Sequence, residues 1–187
     1  MLDSLPEPWR TRSRREVYDA SPWLRLYADE VELPDGRVVA EYFSLDMPDH
    51  AIIVAVTPDG QVVVERNYKH GPRQVCLNLP AGYLEPGEDP LNAAKRELLE
   101  ETGYVADVWT FLGAFAEDGN RGCGRAFIYL AQGAREVSEP ASGDLEEMVI
   151  GLLSMAELFT AARNGETPVL GVVAALGLAA AELAQPR

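Results

Sequence analysis

The sequence is short of positive charge, of cysteine and histidine, and of long apolar runs, and each shortage excludes something. Sixteen Lys and Arg stand against thirty Asp and Glu, a formal net charge of −14 at pH 7. Nucleic acids and anionic membranes are bound chiefly through basic clusters, so neither is expected as a partner. A phosphate-bearing substrate would need a cation to mediate its approach. Only Cys76 and Cys123 occur, without CxxC spacing, and the two histidines, His50 and His70, are not spaced for metal or triad work. Zinc ligation is therefore not expected, and the thiols read as free. The N-terminus has no apolar core of the signal-peptide kind, and the uncharged run Pro168 to Ala181 is too short and too rich in Ala and Gly to span a bilayer. A soluble, cytoplasmic protein is the expectation. There is no low-complexity tract, and 187 residues suffice for one domain with a sizeable core and a small appendage.

What is present is a succession of β-rich runs around one internal helix. Residues 1 to 21 are polar and carry Arg10, Arg12, Arg14 and Arg15, which reads as a flexible or partner-docked arm. WLRLYADEVEL and RVVAEYFSL flank Pro34-Asp35-Gly36, and HAIIVAVT and QVVVERNYK flank Pro58-Asp59-Gly60. Asp-Gly between such runs is a strong hairpin signal. VCLNL, DVWTFLGAF, RAFIYLA and MVIGLLS are further strand candidates. The central helix is expected to start at Asp89 as N-cap with Pro90 at its first position and to stop at Gly103. Ser154 to Glu157 has the form of a capping box opening a second helix, and Thr167-Pro168 opens a third. Strands on both sides of a helix, followed by C-terminal helices, predict a mixed α/β fold with helices packed on a sheet. The expected division is an arm and small β-subdomain over 1–46, then a main domain over 47–187.

The central helix poses an electrostatic problem. Glu97, Glu100 and Glu101 fall within about a quarter to a third of a turn, and like charges three and four residues apart repel. Leu91, Leu98 and Leu99 point broadly the other way, toward a core, while Ala93 and Ala94 flank the carboxylates. A face of clustered carboxylates suits a hard cation, which wants several oxygen ligands. Ala81, in the turn before the helix, is placed to add a backbone carbonyl, and Arg96 to orient a carboxylate.

The stretch from Gly82 to Gly103 reads G-x5-E-x7-R-E-L-x-E-E-x-G, through Glu88, Arg96, Glu97, Leu98, Glu100 and Glu101. That pattern resembles the Nudix box of the Nudix hydrolases, which cleave nucleoside diphosphates linked to another moiety. Every charged and glycine position is met, and Tyr104 stands where the family prefers a branched aliphatic. The resemblance implies the Nudix fold, an α/β/α sandwich with a mixed sheet, here with an N-terminal antiparallel β extension. It also implies Mg2+ or Mn2+ held by Glu97, Glu100, Glu101 and the Ala81 carbonyl, with Glu88 and Arg96 positioning them. The ions would neutralise the bridging phosphates and activate water for attack at phosphorus.

Residues around the box resemble the branch that cleaves ADP-ribose and nucleoside diphosphate sugars. Leu79-Pro80-Ala81-Gly82, followed by Glu85 and Glu88, has that form, and the likeness makes Glu85 a candidate for substrate binding. Arg66-Asn67-Tyr68-Lys69 stands in the place of the branch's Arg-Gln-Tyr-Arg, so Arg66 and Lys69 are candidates for substrate phosphates. Trp23 and Arg25, near Tyr27, match an extra β-subdomain that in this branch often swaps between protomers, and a homodimer is expected. One departure concerns the substrate: the branch usually carries a proline about sixteen residues beyond the box, whereas here FAEDGNRGCGRAFIYLA has none. Asn120 falls near that position and is a candidate for contacting the attached moiety. A catalytic base is often supplied from a later acidic loop, which points to Glu146, with Asp144 and Glu147 as neighbours and Glu100 as competitor.

The expectation is metal-dependent hydrolysis of ADP-ribose or a related nucleoside diphosphate sugar to a nucleoside monophosphate and a sugar phosphate. Two alternatives stand beside it. One is a hydrolase of dinucleoside polyphosphates or other dinucleotides. The other is a non-catalytic nucleotide-binding sensor, against which the intact box argues.

Overall fold

A computed structural model describes residues 5–141, 143 and 147–185. The chain forms two compact units: residues 1–48 with 116–125, and residues 49–115 with 126–187.

In the first unit, β1 (Arg10–Ala20), β2 (Leu24–Glu32) and β3 (Val38–Asp46) form an antiparallel meander. Val31 pairs with Val39 and Glu32 with Val38, closing the hairpin over Pro34-Asp35-Gly36. The expected flexible arm is instead mostly strand, because Arg10 to Ala20 pairs with β2 along its whole length. That strand is exposed on both faces, so burial contributes little to holding it. Its arginines reach across the sheet instead. Arg14 grips Asp29 through Nε at 2.7 Å and Nη2 at 2.8 Å, and Ser44 Oγ donates to the same carboxylate at 2.9 Å.

The second unit is layered. It contains β4 (His50–Val56), β5 (Gln61–Lys69), β6 (Gln74–Asn78), β7 (Ala81–Tyr83) and α1 (Pro90–Thr102). These are followed by β8 (Tyr104–Val105), β9 (Val108–Asp118), β10 (Gly122–Gln132), β11 (Arg135–Glu136) and β12 (Val149–Ser154). Two helices follow, α2 (Met155–Arg163) and α3 (Leu170–Leu183). The tip of the β9–β10 hairpin, residues 116–125, belongs to the first unit. β4 pairs in parallel with β10 from His50–Ala126 to Val56–Gln132, and β12 runs antiparallel to β5.

β4 is apolar on both faces, as a strand covered on both sides must be. Ala51, Ile53 and Ala55 pack with Ala94 and Leu98 of α1, whereas Ile52, Val54 and Val56 pack with Leu158 of α2 and Val172, Leu176 and Ala179 of α3. Burial of each large side chain contributes roughly 1.5–3 kcal/mol, so these two cores set the α/β/α order of the unit. Leu98 is on the buried face of α1, but Leu99 is exposed, and Ala93 and Ala94 lie fully in the core and not beside a solvated acidic face. The small alanines let α1 lie close to the sheet.

The expected caps hold for α1 and α2. Asp89 accepts from the N–H groups of Leu91 and Asn92, and Ser154 and Glu157 form a capping box. α3 begins at Leu170 after Val169 and has no side-chain cap, so Thr167 does not serve as one.

The sheet forks near the box. β4 and β5 are paired only at Val56–Val62, beside their turn. Beyond it, β6 lies along β5 while β7 lies along β4, with Leu79-Pro80 crossing the gap. Ile53 N–H donates to Pro80 O at 2.9 Å, fixing the crossing. The fork places Ala81-Gly82 against the inner side of α1.

Candidate active site: a carboxylate cluster at the fork of the sheet

The box folds as strand, loop and helix about one arginine. Arg96 Nε and Nη2 donate to the two oxygens of Glu88 at 3.0 and 2.8 Å, and Nη2 also donates to Tyr83 O at 3.1 Å. Arg96 Nη1 reaches Glu97 Oε1 at 2.7 Å and Glu100 Oε2 at 3.3 Å. The Glu88 hydrogen bonds, and then Glu97, raise the guanidinium above its ordinary range, while Arg96 holds the Glu88 carboxyl below the usual carboxylate range. Glu85 contributes its backbone: its N–H donates to Glu88 Oε2 at 2.9 Å. The loop is thereby locked to the helix by a charge-assisted fork.

Gly82 completes the packing. A Cβ there would fall 2.1 Å from Cδ of Glu97, so only glycine lets this carboxylate lie against the β7 backbone.

Glu101 behaves differently from its neighbours. It is 6% exposed and accepts from Ala81 N–H at 2.9 Å. Burial first, and then repulsion from Glu65, push its carboxyl well above the ordinary range, with the Ala81 hydrogen bond opposing and Glu97 adding to the rise. Glu65 was not among the expected site residues. Alternation along β5 puts Val63, Glu65, Asn67 and Lys69 on one face and Val62, Val64 and Arg66 on the other. Val63 packs in the core that contains α1, and Val62 and Val64 pack in the core that contains α2 and α3. A glutamate in phase with Val63 was the available signal. Next to Glu65, the Asn78 side chain donates to Asn67 Oδ1 at 2.7 Å, so the α1-facing surface turns from apolar to polar at this end of β5.

The same alternation separates the two candidates for phosphate contact. Lys69 shares the face of Glu65. Arg66 lies on the opposite face, bonded to Glu166 at 3.2 Å beside a cleft of about 390 Å3 that includes Leu153 and Thr160. Trp23, Arg25 and Asn120 all belong to the first unit. Trp23 is exposed at the β1–β2 turn, and Arg25 pairs with Asp46. Asn120 sits in the β9–β10 turn, its N–H donating to Asp118 at 2.7 Å. Asp46 and Asn120 line one cleft of about 540 Å3 with Trp9, Tyr27, Tyr42 and Arg121.

The acidic loop is anchored at its start. Gly103, at φ 74°, ends α1, and a Cβ there would fall 1.9 Å from Ser138 O. Val137 N–H donates to Gly103 O at 2.9 Å, and Ala141 N–H to Glu100 O at 2.8 Å. After the loop, Val149 pairs with Arg66. Glu146 and Asp144 lie outside the described residues, and Glu147 is exposed.

The match to known proteins follows this geometry. The NUDIX domain model matches residues 47–170, and the model of a nucleoside diphosphate sugar hydrolase N-terminal domain matches residues 9–45. The chain belongs to the Nudix family. Among curated relatives of this Nudix protein, an ADP-ribose pyrophosphatase of Bacillus subtilis (strain 168) is 29% identical over 79% of the chain and 78% of its own length. An ADP-ribose pyrophosphatase of Mycobacterium tuberculosis (strain ATCC 25618 / H37Rv) is 32% identical over 87% and 80%. A crystal structure of an ADP compounds hydrolase superposes with a TM-score of 0.83 over 96% of both chains at 20% identity, a likeness of fold. The reaction class of the Nudix protein is hydrolysis of a pyrophosphate bond.

Nudix pyrophosphatases of this kind generally need a divalent metal ion. The donor set fits one. It consists of carboxylate oxygens, Glu97 lies in a cradle that a Cβ at Gly82 would fill, and a guanidinium already gathers Glu88, Glu97 and Glu100. The carboxylates are divided, three about Arg96 and Glu101 with Glu65. Among the described residues, no three Asp, Glu, His or Cys side chains therefore form a closed metal cage. No helix among them is long and apolar enough to cross a membrane.

Proposed function

We propose that this Nudix protein hydrolyses the pyrophosphate bond of ADP-ribose or a related nucleoside diphosphate sugar, giving a nucleoside monophosphate and a sugar phosphate. The observation that carries the reading is the convergence of box glutamates about Arg96 and at the fork of the sheet. The relatives' activity on ADP-ribose supports the substrate class.

Glu97, Glu100, Glu101 and the Ala81 carbonyl would hold Mg2+ or Mn2+, which when bound supplies charge neutralisation of the diphosphate and activation of water. Arg96 orients Glu97 and Glu100 by direct hydrogen bonds. Glu88 and the Glu85 N–H fix Arg96 and the loop in turn. Lys69 meets substrate phosphate as a compact charge. Glu146 takes the proton of the attacking water, with Glu100 as the competing base. Trp23, Arg25 and Asn120 contact the nucleoside or sugar, and the working form is a cytoplasmic homodimer.

The test is a screen of nucleoside diphosphate derivatives with and without Mg2+, with products identified by phosphorus NMR. Metal-dependent release of AMP and ribose phosphate from ADP-ribose is expected. Release from no nucleoside diphosphate conjugate under Mg2+ or Mn2+ would turn the reading toward a nucleotide-binding sensor.

A further inference from the structure

Two side-chain amides are enclosed where β6 leaves the sheet. Asn67 of β5 is 2% exposed, and Asn78, the last residue of β6, is 4% exposed. The register sets Cys76 opposite Asn67 and Glu65 opposite Asn78, so these side chains share the face of β5 that looks toward α1. Asn78 Nδ2 donates to Asn67 Oδ1 at 2.7 Å along the diagonal, and also to Cys76 Sγ at 3.4 Å. Leu79 and Pro80 then cross the fork, and Ala81 follows as the first residue of β7.

The crossing is short and pinned at both ends. On arrival, Pro80 O accepts from Ile53 N–H at 2.9 Å, and Ala81 N–H donates to Glu101 at 2.9 Å. Between the ends, Leu79 is buried in the core shared with α2 and α3. On departure, Glu65–Asn78 is the last rung of the β5–β6 ladder, and the amide pair ties that end to β5. Packing gives no reason for amides here. Val63, on the same face, is fully buried among apolar side chains, and two apolar residues would continue that surface. A matched buried hydrogen bond contributes little net stability over an apolar pair, but it fixes a direction that apolar contact leaves loose.

We propose that Asn67 and Asn78 are positioning residues of the cation site, their hydrogen bond setting where the crossing delivers the Ala81 carbonyl. The inference rests on the metal-dependent reading above. Neither amide is placed as a ligand, and the pair acts through the backbone of the crossing. The ligand it serves is a hard divalent cation, and Mg2+ in particular demands near-ideal placement of its oxygen donors. Part of the cation affinity that the box pattern alone would give to the helix then belongs to β5 and β6.

The test uses the full chain, with Mn2+ binding followed by electron paramagnetic resonance and Tm measured without metal. Asn78→Leu leaves the Asn67 oxygen enclosed without its donor, so Tm should fall and Mn2+ binding should weaken by about tenfold. Asn67→Leu combined with Asn78→Leu removes both polar groups. Most of the lost Tm should then return, while Mn2+ binding stays weakened by about tenfold. A role in stability alone would restore the two together. If the double leucine variant does not fold, Asn67→Val with Asn78→Val reads the same loss with smaller side chains suited to strands. Wild-type Mn2+ affinity in a folded variant lacking the bond overturns the proposal, as does affinity that recovers along with Tm. If wild type itself binds no Mn2+ and cleaves no nucleotide, the functional reading has failed and the proposal with it. That outcome is distinct from equal binding by wild type and variant.

Discussion

Acidic side chains are handled in opposite ways in the two units. In the first, carboxylates are matched to arginines across the strands of the meander: Asp29 to Arg14, Glu32 to Arg10 and Arg12, Glu41 to Arg15 over the intervening β2, and Asp46 to Arg25. In the second, Glu88, Glu97 and Glu100 share the single Arg96, and the buried Glu101 faces another carboxylate. Matched charges at exposed positions hold an edge strand in register and contribute little each. An excess of carboxylates, held in place by packing, is a cost that folding alone does not repay. On the proposed reading, the difference separates charges that serve the fold from charges that would serve a ligand.

Removing one charge from the excess should break the comparison most visibly. Glu101→Gln can still accept the Ala81 hydrogen bond, and it removes a buried charge beside Glu65. Hydrolysis should fall by more than about a hundredfold while Tm without metal is equal or higher. Steady-state rates and thermal melts read the two effects on one sample. A variant that keeps wild-type activity would remove Glu101 from the site.

Gly82→Ala should have the next largest effect, again on activity more than on stability. The new Cβ would fall 2.1 Å from Cδ of Glu97, the mobile end of a side chain, so Glu97 moves and the backbone does not. Loss of the aligned Glu97 should lower the rate by about ten- to a hundredfold. The accompanying fall in Tm should be no more than about 4 °C. A large drop in Tm with an unchanged rate would make Gly82 a residue of the fold alone.

The two kinds of charge differed in how legible they were. The box spacing, the Asp89 cap and the Gly103 stop could be read because they are local, set by residues within one or two helical turns. Arg96 as an orienting group followed from the same short range. Glu65 did not, because its meaning depends on a helix residue thirty-six positions away, and strand alternation becomes informative only once the faces are known. The same gap grouped Arg66 with Lys69, which the strand puts on opposite faces. It also made an arm of residues 10–20, whose pairing depends on carboxylates of β2 and β3. Leu99 was assigned to the core by a coarse wheel, whereas at about 100° per residue it lies about 100° from Leu98 and about 140° from Ala94, and it is exposed.

The smallest effect should come from the matched charges, and its pH dependence identifies it. Hydrogen bonds from Arg14, and secondarily from Ser44, hold the Asp29 carboxyl below its ordinary range, with burial opposing. The unfolded chain takes up that proton more readily than the folded one. The stabilisation is therefore complete above the unfolded value, about pH 4, and is lost as pH falls through the lower folded value. Asp29→Asn should lower Tm by about 2–4 °C at pH 7, a modest cost because Arg14 is half exposed. As the solution is acidified below about pH 4, the difference between variant and wild type should shrink toward zero. Melts from pH 7 down to about pH 2.5 cover that window. A difference that stays constant through it would mean that Asp29 acts by shape and not by its matched charge.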